Sequence, residues 1–129
     1  MKITGQFYGY ASKGKAAFGV WLKHNDQEYI KTIKLTEATT NLAELHALEY
    51  ALKAIKDTGA EIELESCNSY APRLMDKDGS GNYKTKAERN LALVMRARSA
   101  AEPFTNLKVS IGKAASMKEL QDMVKAEAK

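Results

Sequence analysis

The sequence contains a single cysteine, Cys67, so neither an internal disulfide nor a cysteine-rich zinc site is open to it. Its two histidines, His24 and His46, lie too far apart in sequence to read as a ligand pair. No apolar run approaches the ~18 residues of a membrane-spanning helix, and the start, MKITGQFYGY, has no signal-peptide core. No aspartate or glutamate occurs between Met1 and Lys23. The expectation is a soluble cytoplasmic protein with no membrane partner. At 129 residues the chain is long enough for one core and too short for two. It shows no repeat and no linker, so residues 1–129 are expected to form one domain. A net charge of +4 is a mild bias toward polyanions. Residues 84–98, KTKAERNLALVMRAR, concentrate that charge, with Glu88 as their only acid.

The first third reads as strands. Ile3, Gly5, Phe7 and Gly9 alternate with Thr4, Gln6, Tyr8 and Tyr10. SKGK (12–15) and HNDQ (24–27) are turns separating AAFGVWLK and EYIKTIKL, which completes an antiparallel three-strand meander. TTNLAELHALEYALKAI follows as a helix, capped by Thr39, Thr40 or Asn41 and closed by Lys56–Gly59. EIELESC is a fourth strand, and strand–helix–strand implies a parallel, right-handed crossover. Pro72 limits the next element to a short helix around Arg73–Asp76. DKDGSGN (76–82) is a loop, and it lacks the bidentate glutamate of a calcium-binding hand. A helix from about Thr85 to Ala101, a strand LKVSI and a final helix carrying Met117, Leu120, Met123 and Val124 on its inner face complete the chain. The order is βββ-α-β-α-α-β-α.

One position breaks the pattern of the first long helix. Glu44 heads the stripe of Leu48, Ala51 and Ile55, while His46, Glu49, Lys53 and Lys56 take the opposite, solvated face. A carboxylate on a core stripe either stands at its open rim or has a task.

The element order and four motifs together resemble the ribonuclease H family over nearly the whole chain. GYASKG (9–14) stands where that family opens with an aspartate, and ATTNLAELHAL (38–48) is similar to its first helix. SCNSY (66–70) stands at its Thr-Asp-Ser strand end, and IGKAASMKELQD (111–122) at its Gly-His loop and final-helix acid. The resemblance implies an α/β fold with a five-stranded mixed sheet, three strands antiparallel and the others parallel, flanked by helices. It also implies carboxylates from two strands and two helices holding two magnesium or manganese ions for phosphodiester hydrolysis. Carried onto this chain, two acids remain, Glu44 and Asp122. Gly9 and Cys67 stand at the other two positions, and Lys113 stands at the histidine. Glycine offers no ligand, and a thiol suits magnesium poorly. Glu65 shares a strand face with Cys67 but lies about 6–7 Å away along the strand.

The resemblance thus implies a pseudoenzyme: a ribonuclease H-like domain without ordinary two-metal activity, kept for binding RNA, an RNA–DNA hybrid or a ribonucleoprotein. No cofactor is expected; magnesium or manganese would enter only with residual nuclease activity. Ser12, Asn41 and Ser69 fall at positions that touch the minor groove of a hybrid. Lys13, Lys15, Lys84, Lys86, Arg89 and Lys113 are candidates for phosphate contacts. Taken singly, each is explained most simply by solvation, as Tyr8, Tyr10 and Trp21 are by packing and Cys67 by burial. Two competing readings are a protein–protein interaction module with no nucleic-acid role, and a weak single-metal nuclease using Glu44, Asp122 and Glu65.

Overall fold

A computed structural model describes residues 1–129. The meander forms as β1 (Lys2–Ser12), β2 (Lys15–His24) and β3 (Gln27–Leu35). Its first hairpin turns on Lys13 and Gly14 alone, both left-handed at φ 53° and 78°, which is the twist a two-residue turn requires. Asn25 supplies a left-handed residue, at φ 54°, in the second turn. α1 (Thr40–Ala54) begins at Thr39, whose hydroxyl accepts the Leu42 N–H at 3.2 Å. It ends earlier than its sequence promised, because Ile55 is already extended. β4 (Glu61–Ser66) follows. α2 (Tyr70–Met75) starts before Pro72 rather than after it, since a first-turn proline forfeits no helical hydrogen bond.

The next helix corrects the sequence expectation. α3 (Leu91–Ala101) does not begin near Thr85; it starts after Asn90, which is left-handed at φ 55°. The Arg98 guanidinium explains the delay. It donates to the carbonyls of Thr85 (2.8 Å) and Leu74 (2.9 Å) and lies 4.1 Å from the Tyr83 ring centroid. That holds residues 83–85 alongside α3 rather than in front of it. β5 (Asn106–Ile111), a 3-10 turn (Ala114–Met117) and α4 (Lys118–Ala128) complete the chain. No helix is long and apolar enough to cross a membrane.

The five strands form one mixed sheet in the order β3-β2-β1-β4-β5, with β1, β4 and β5 parallel and the meander antiparallel. Period-2 alternation sends Phe7 and Gly9 to one face of β1 and Tyr8 and Tyr10 to the other. The first face carries the main core, where Phe7, Val20, Ile62 and Leu64 meet Leu45 and Leu48 of α1, with α2 and α3 packed beside them. The second carries a small cluster in which Met117, Leu120, Val124 and Ala128 cover Ala17.

Glycines set both helix seats. A Cβ at Gly9 would stand 2.2 Å from the Glu44 nitrogen and 2.5 Å from the Ala43 carbonyl carbon, so α1 lies backbone-on-backbone against β1. A Cβ at Gly19 would meet Val124 Cγ2 at 2.5 Å and Leu120 Cδ1 at 3.1 Å, which are only side-chain tips of α4.

The polar face of α1 is less solvated than its sequence implies. Glu49 is 5% exposed. Arg96 donates to both its carboxylate oxygens, at 2.8 and 3.0 Å, and Lys53 adds a contact at 3.2 Å. His46 stacks on Phe18, and burial depresses its pKa, with Glu49 and Arg96 pulling in opposite senses.

Candidate functional site

The carboxyl ends of β1, β4 and β5 and the start of α1 converge at one end of the sheet, the end where sites collect in parallel α/β architectures. Thr40 Oγ1 reaches the Ala11 carbonyl at 3.5 Å, tying α1 to the end of β1. The Gly112 N–H donates to the Ser66 carbonyl at 2.8 Å, tying the segment after β5 to the end of β4. Gln6 pairs with Glu65 in the parallel ladder, so two residues further on Tyr8 comes level with Cys67.

Glu44 is fully buried at this end. The Ser66 hydroxyl donates to its Oε1 at 2.6 Å and in turn accepts the Asn68 N–H at 3.2 Å. Burial pushes the Glu44 pKa up to about 8, against the opposing pull of Ser66 and the Asn68 side chain. Asn68 is near enough to act on the carboxyl, yet Oε2 has no partner within hydrogen-bonding geometry. At neutral pH Glu44 is therefore mainly a carboxylic acid, not a carboxylate.

On the other face of the sheet, Cys67 sits with Tyr8 and Tyr10 against α4. Burial raises the Cys67 pKa, helped by Glu44 and opposed by a backbone hydrogen bond and by Lys125. Burial likewise raises Tyr8, with Cys67, Tyr10 and Glu44 adding to it. Both groups stay protonated at neutral pH. Gln121 Nε2 donates to the Ala114 carbonyl at 2.9 Å and lies 3.7 Å from Cys67 Sγ. One turn later, Lys125 Nζ stands 5.8 Å from the Tyr10 ring centroid.

Ser12 and Lys13 are exposed at the hairpin tip, and Asn41 lies half-buried in the first turn of α1, beside the same sheet end. Lys15 opens β2 opposite Ser12. Ser69 caps α2 through its carbonyl, which accepts the Arg73 N–H at 3.0 Å. Lys113 is exposed and is joined to the site through its neighbour Ala114 and Gln121. Lys84, Lys86 and Arg89 lie on the loop before α3 rather than on a helix, and Lys84 is paired with Asp76 at 3.4 Å. Gly9, matched by motif to a lost acid, has no room for any side chain; the β1 side chain beside Cys67 and Glu44 is Tyr8.

Asp122 does not join Glu44. It is paired with Lys118 at 3.2 Å and lines a groove with Gln6, Trp21 and Ser116. Glu65 lines a neighbouring groove with Gln6 and Glu63. No three of the His, Cys, Asp and Glu side chains stand close enough to share a metal ion, so the three acids of the weak-nuclease reading are not brought together. The magnesium pair implied by the fold does not fit this donor set, which offers one carboxyl already held by Ser66, a soft thiol and a phenol where several hard carboxylate oxygens are wanted.

Sequence reasoning passed over Gln121 and Lys125. Their signal was available, since both flank the buried stripe Met117, Leu120 and Val124 at i, i+4 spacing.

No protein-family profile and no curated protein matches the sequence. Solved structures match its fold. Ribonuclease H1 from the halophilic archaeon Halobacterium salinarum superposes with a TM-score of 0.80 at 21% identity, covering 98% of this chain and 97% of that one. The N-terminal ribonuclease H domain of a Mycobacterium tuberculosis protein gives 0.80 at 19% identity and 100% of both chains. LC11-RNase H1, solved in complex with an RNA/DNA hybrid, gives 0.78 at 20% identity, covering 98% and 96%. The fold is the ribonuclease H fold.

Proposed function

We propose that this chain is a single ribonuclease H-fold domain that binds RNA or an RNA–DNA hybrid and lacks ordinary two-metal hydrolysis. The observation carrying this reading is the charge of the sheet end. Its central acid is sealed from solvent with its pKa pushed up to about 8, while Lys13 and Lys15 at the hairpin tip, Lys113 after β5 and Lys125 beside Tyr10 have no carboxylate partner among the ion pairs. Cations of this kind attract phosphate without reading sequence. Ser12, Asn41 and Ser69 add short polar groups suited to 2′-hydroxyls. A neighbour of the same fold in complex with an RNA/DNA hybrid supports the ligand class.

The competing reading, a protein-interaction module, draws on the opposite region of the fold. There Tyr29 and Ile30 are exposed on edge strand β3, beside a groove of about 560 Å³ between Phe18, His46 and Tyr50. Titrating labelled RNA–DNA hybrid, duplex RNA and single-stranded RNA at two salt concentrations, with and without magnesium or manganese, separates the cases. The expected result is binding that weakens steeply with salt and no cleavage. Metal-dependent cleavage abolished by Glu44→Ala would overturn the proposal. Absence of binding to all three would direct attention to β3.

A further inference from the structure

We propose that Lys125, with Gln121 one turn before it, forms a seat for one backbone phosphate of the nucleic acid, supplying the positive charge that the metal ions of this fold would otherwise bring. The proposal rests on the nucleic-acid reading above and names the group that carries it. Four observations support it.

First, Lys125 is close to the centre of the site. Its ammonium lies 5.8 Å from the Tyr10 ring, and its field acts on the Cys67 thiol. Second, it is free: the ion pairs of the molecule use Lys2, Lys23, Lys53, Lys84, Arg96 and Lys118, not Lys125. Third, Gln121 has donor capacity to spare. One N–H of its amide is engaged by the Ala114 carbonyl at 2.9 Å, and the other has only the thiol at 3.7 Å, a weak acceptor that a phosphate oxygen would replace. Fourth, Glu44, whose charge would act on Cys67 and Tyr8, keeps its Oε2 buried and unpartnered. A cation site would place its ion against such an oxygen. An anion site must instead keep the acid uncharged, and the burial of Glu44 does so. The two arrangements differ in the sign of the ligand, and the unpaired ammonium of Lys125 favours the anion.

The test is fluorescence anisotropy on the full chain with labelled RNA–DNA hybrid in EDTA, comparing wild type with Lys125→Ala and Lys125→Arg over a salt series. Lys125→Ala is expected to weaken binding by about fivefold to tenfold and to shorten the log–log salt slope by about 0.9, the value of one phosphate contact. Lys125→Arg should restore most of both. Lys125 is exposed, so the melting temperature of each variant should match wild type. An unchanged slope in Lys125→Ala, or wild-type binding that vanishes in EDTA, overturns the phosphate seat while leaving nucleic-acid binding standing. If wild type binds no nucleic acid, the functional reading fails by itself. Inorganic phosphate titrated against amide shifts then decides the seat: shifts confined to residues 8–10, 67–68 and 121–125 uphold it, and none overturns it.

Discussion

The two helix seats of this sheet differ in kind. At Gly9, α1 rests on β1 through main-chain atoms, which have no rotamers with which to yield. At Gly19, α4 rests on β2 through the tips of Val124 and Leu120, which do. The first seat belongs to a core of 20 buried residues and the second to a cluster of 5, so α1 is held far more firmly than α4. The consequence for the site is a division of labour. α1 fixes Glu44 in a place closed to bulk solvent, while α4 offers Gln121 and Lys125 from a support that can settle against a ligand.

The largest test of this contrast is Gly9→Ala. One methyl directed into the α1 backbone should cost about 3 kcal/mol or more, read as a shift in the urea midpoint. A cost below 1 kcal/mol would mean that α1 is not seated as described. Next comes the pH dependence. Folded Glu44 keeps its proton up to about 8, whereas the unfolded side chain ionises near 4.5. Its stabilising contribution is complete below pH 4.5 and falls by up to about 1.4 kcal/mol per unit as pH rises toward 8, because the folded state binds the extra proton. Urea melts across that range should show the slope in wild type. They should show it abolished in Glu44→Gln, whose side-chain carbonyl can still accept from Ser66. An equal slope in both proteins would place the titration elsewhere. The smallest effect is expected at Gly19→Ala, about 1 kcal/mol, with Val124→Ala coupling favourably to it by roughly 0.5 kcal/mol in a double-mutant cycle. If Gly19→Ala matched Gly9→Ala, the two seats would not differ.

Much of this fold was legible in the residues. The period-2 runs, the Lys13–Gly14 and Asn25 turns and the Thr39 cap are local signals, and local signals fixed the meander and α1. What escaped depended on contacts distant in sequence. The delayed start of α3 follows from Arg98 binding Thr85 and Leu74, and the burial of Glu49 from Arg96, 47 residues away. The site was half legible. Glu44 stood out as a carboxylate on an apolar stripe, but nothing in the sequence announced that the Ser66 hydroxyl would meet it. Gly9 was matched to a lost acid by motif; its closeness to α1 shows that an aspartate restored there would test packing rather than chemistry. Tyr8, one residue earlier, holds the place beside Cys67.

The strand order also bears on how the molecule comes into being. β1 finds β2 across two turn residues, whereas its partner on the other side, β4, arrives only after two further strands and a helix. Pairings that distant form late, because a long loop must close before they stabilise anything. Tyr10 belongs to the early half and Cys67 to the late half, so the surface between them exists only once folding has finished. A ligand spanning both would select the completed molecule over any half-formed intermediate and would slow its unfolding as well as report it.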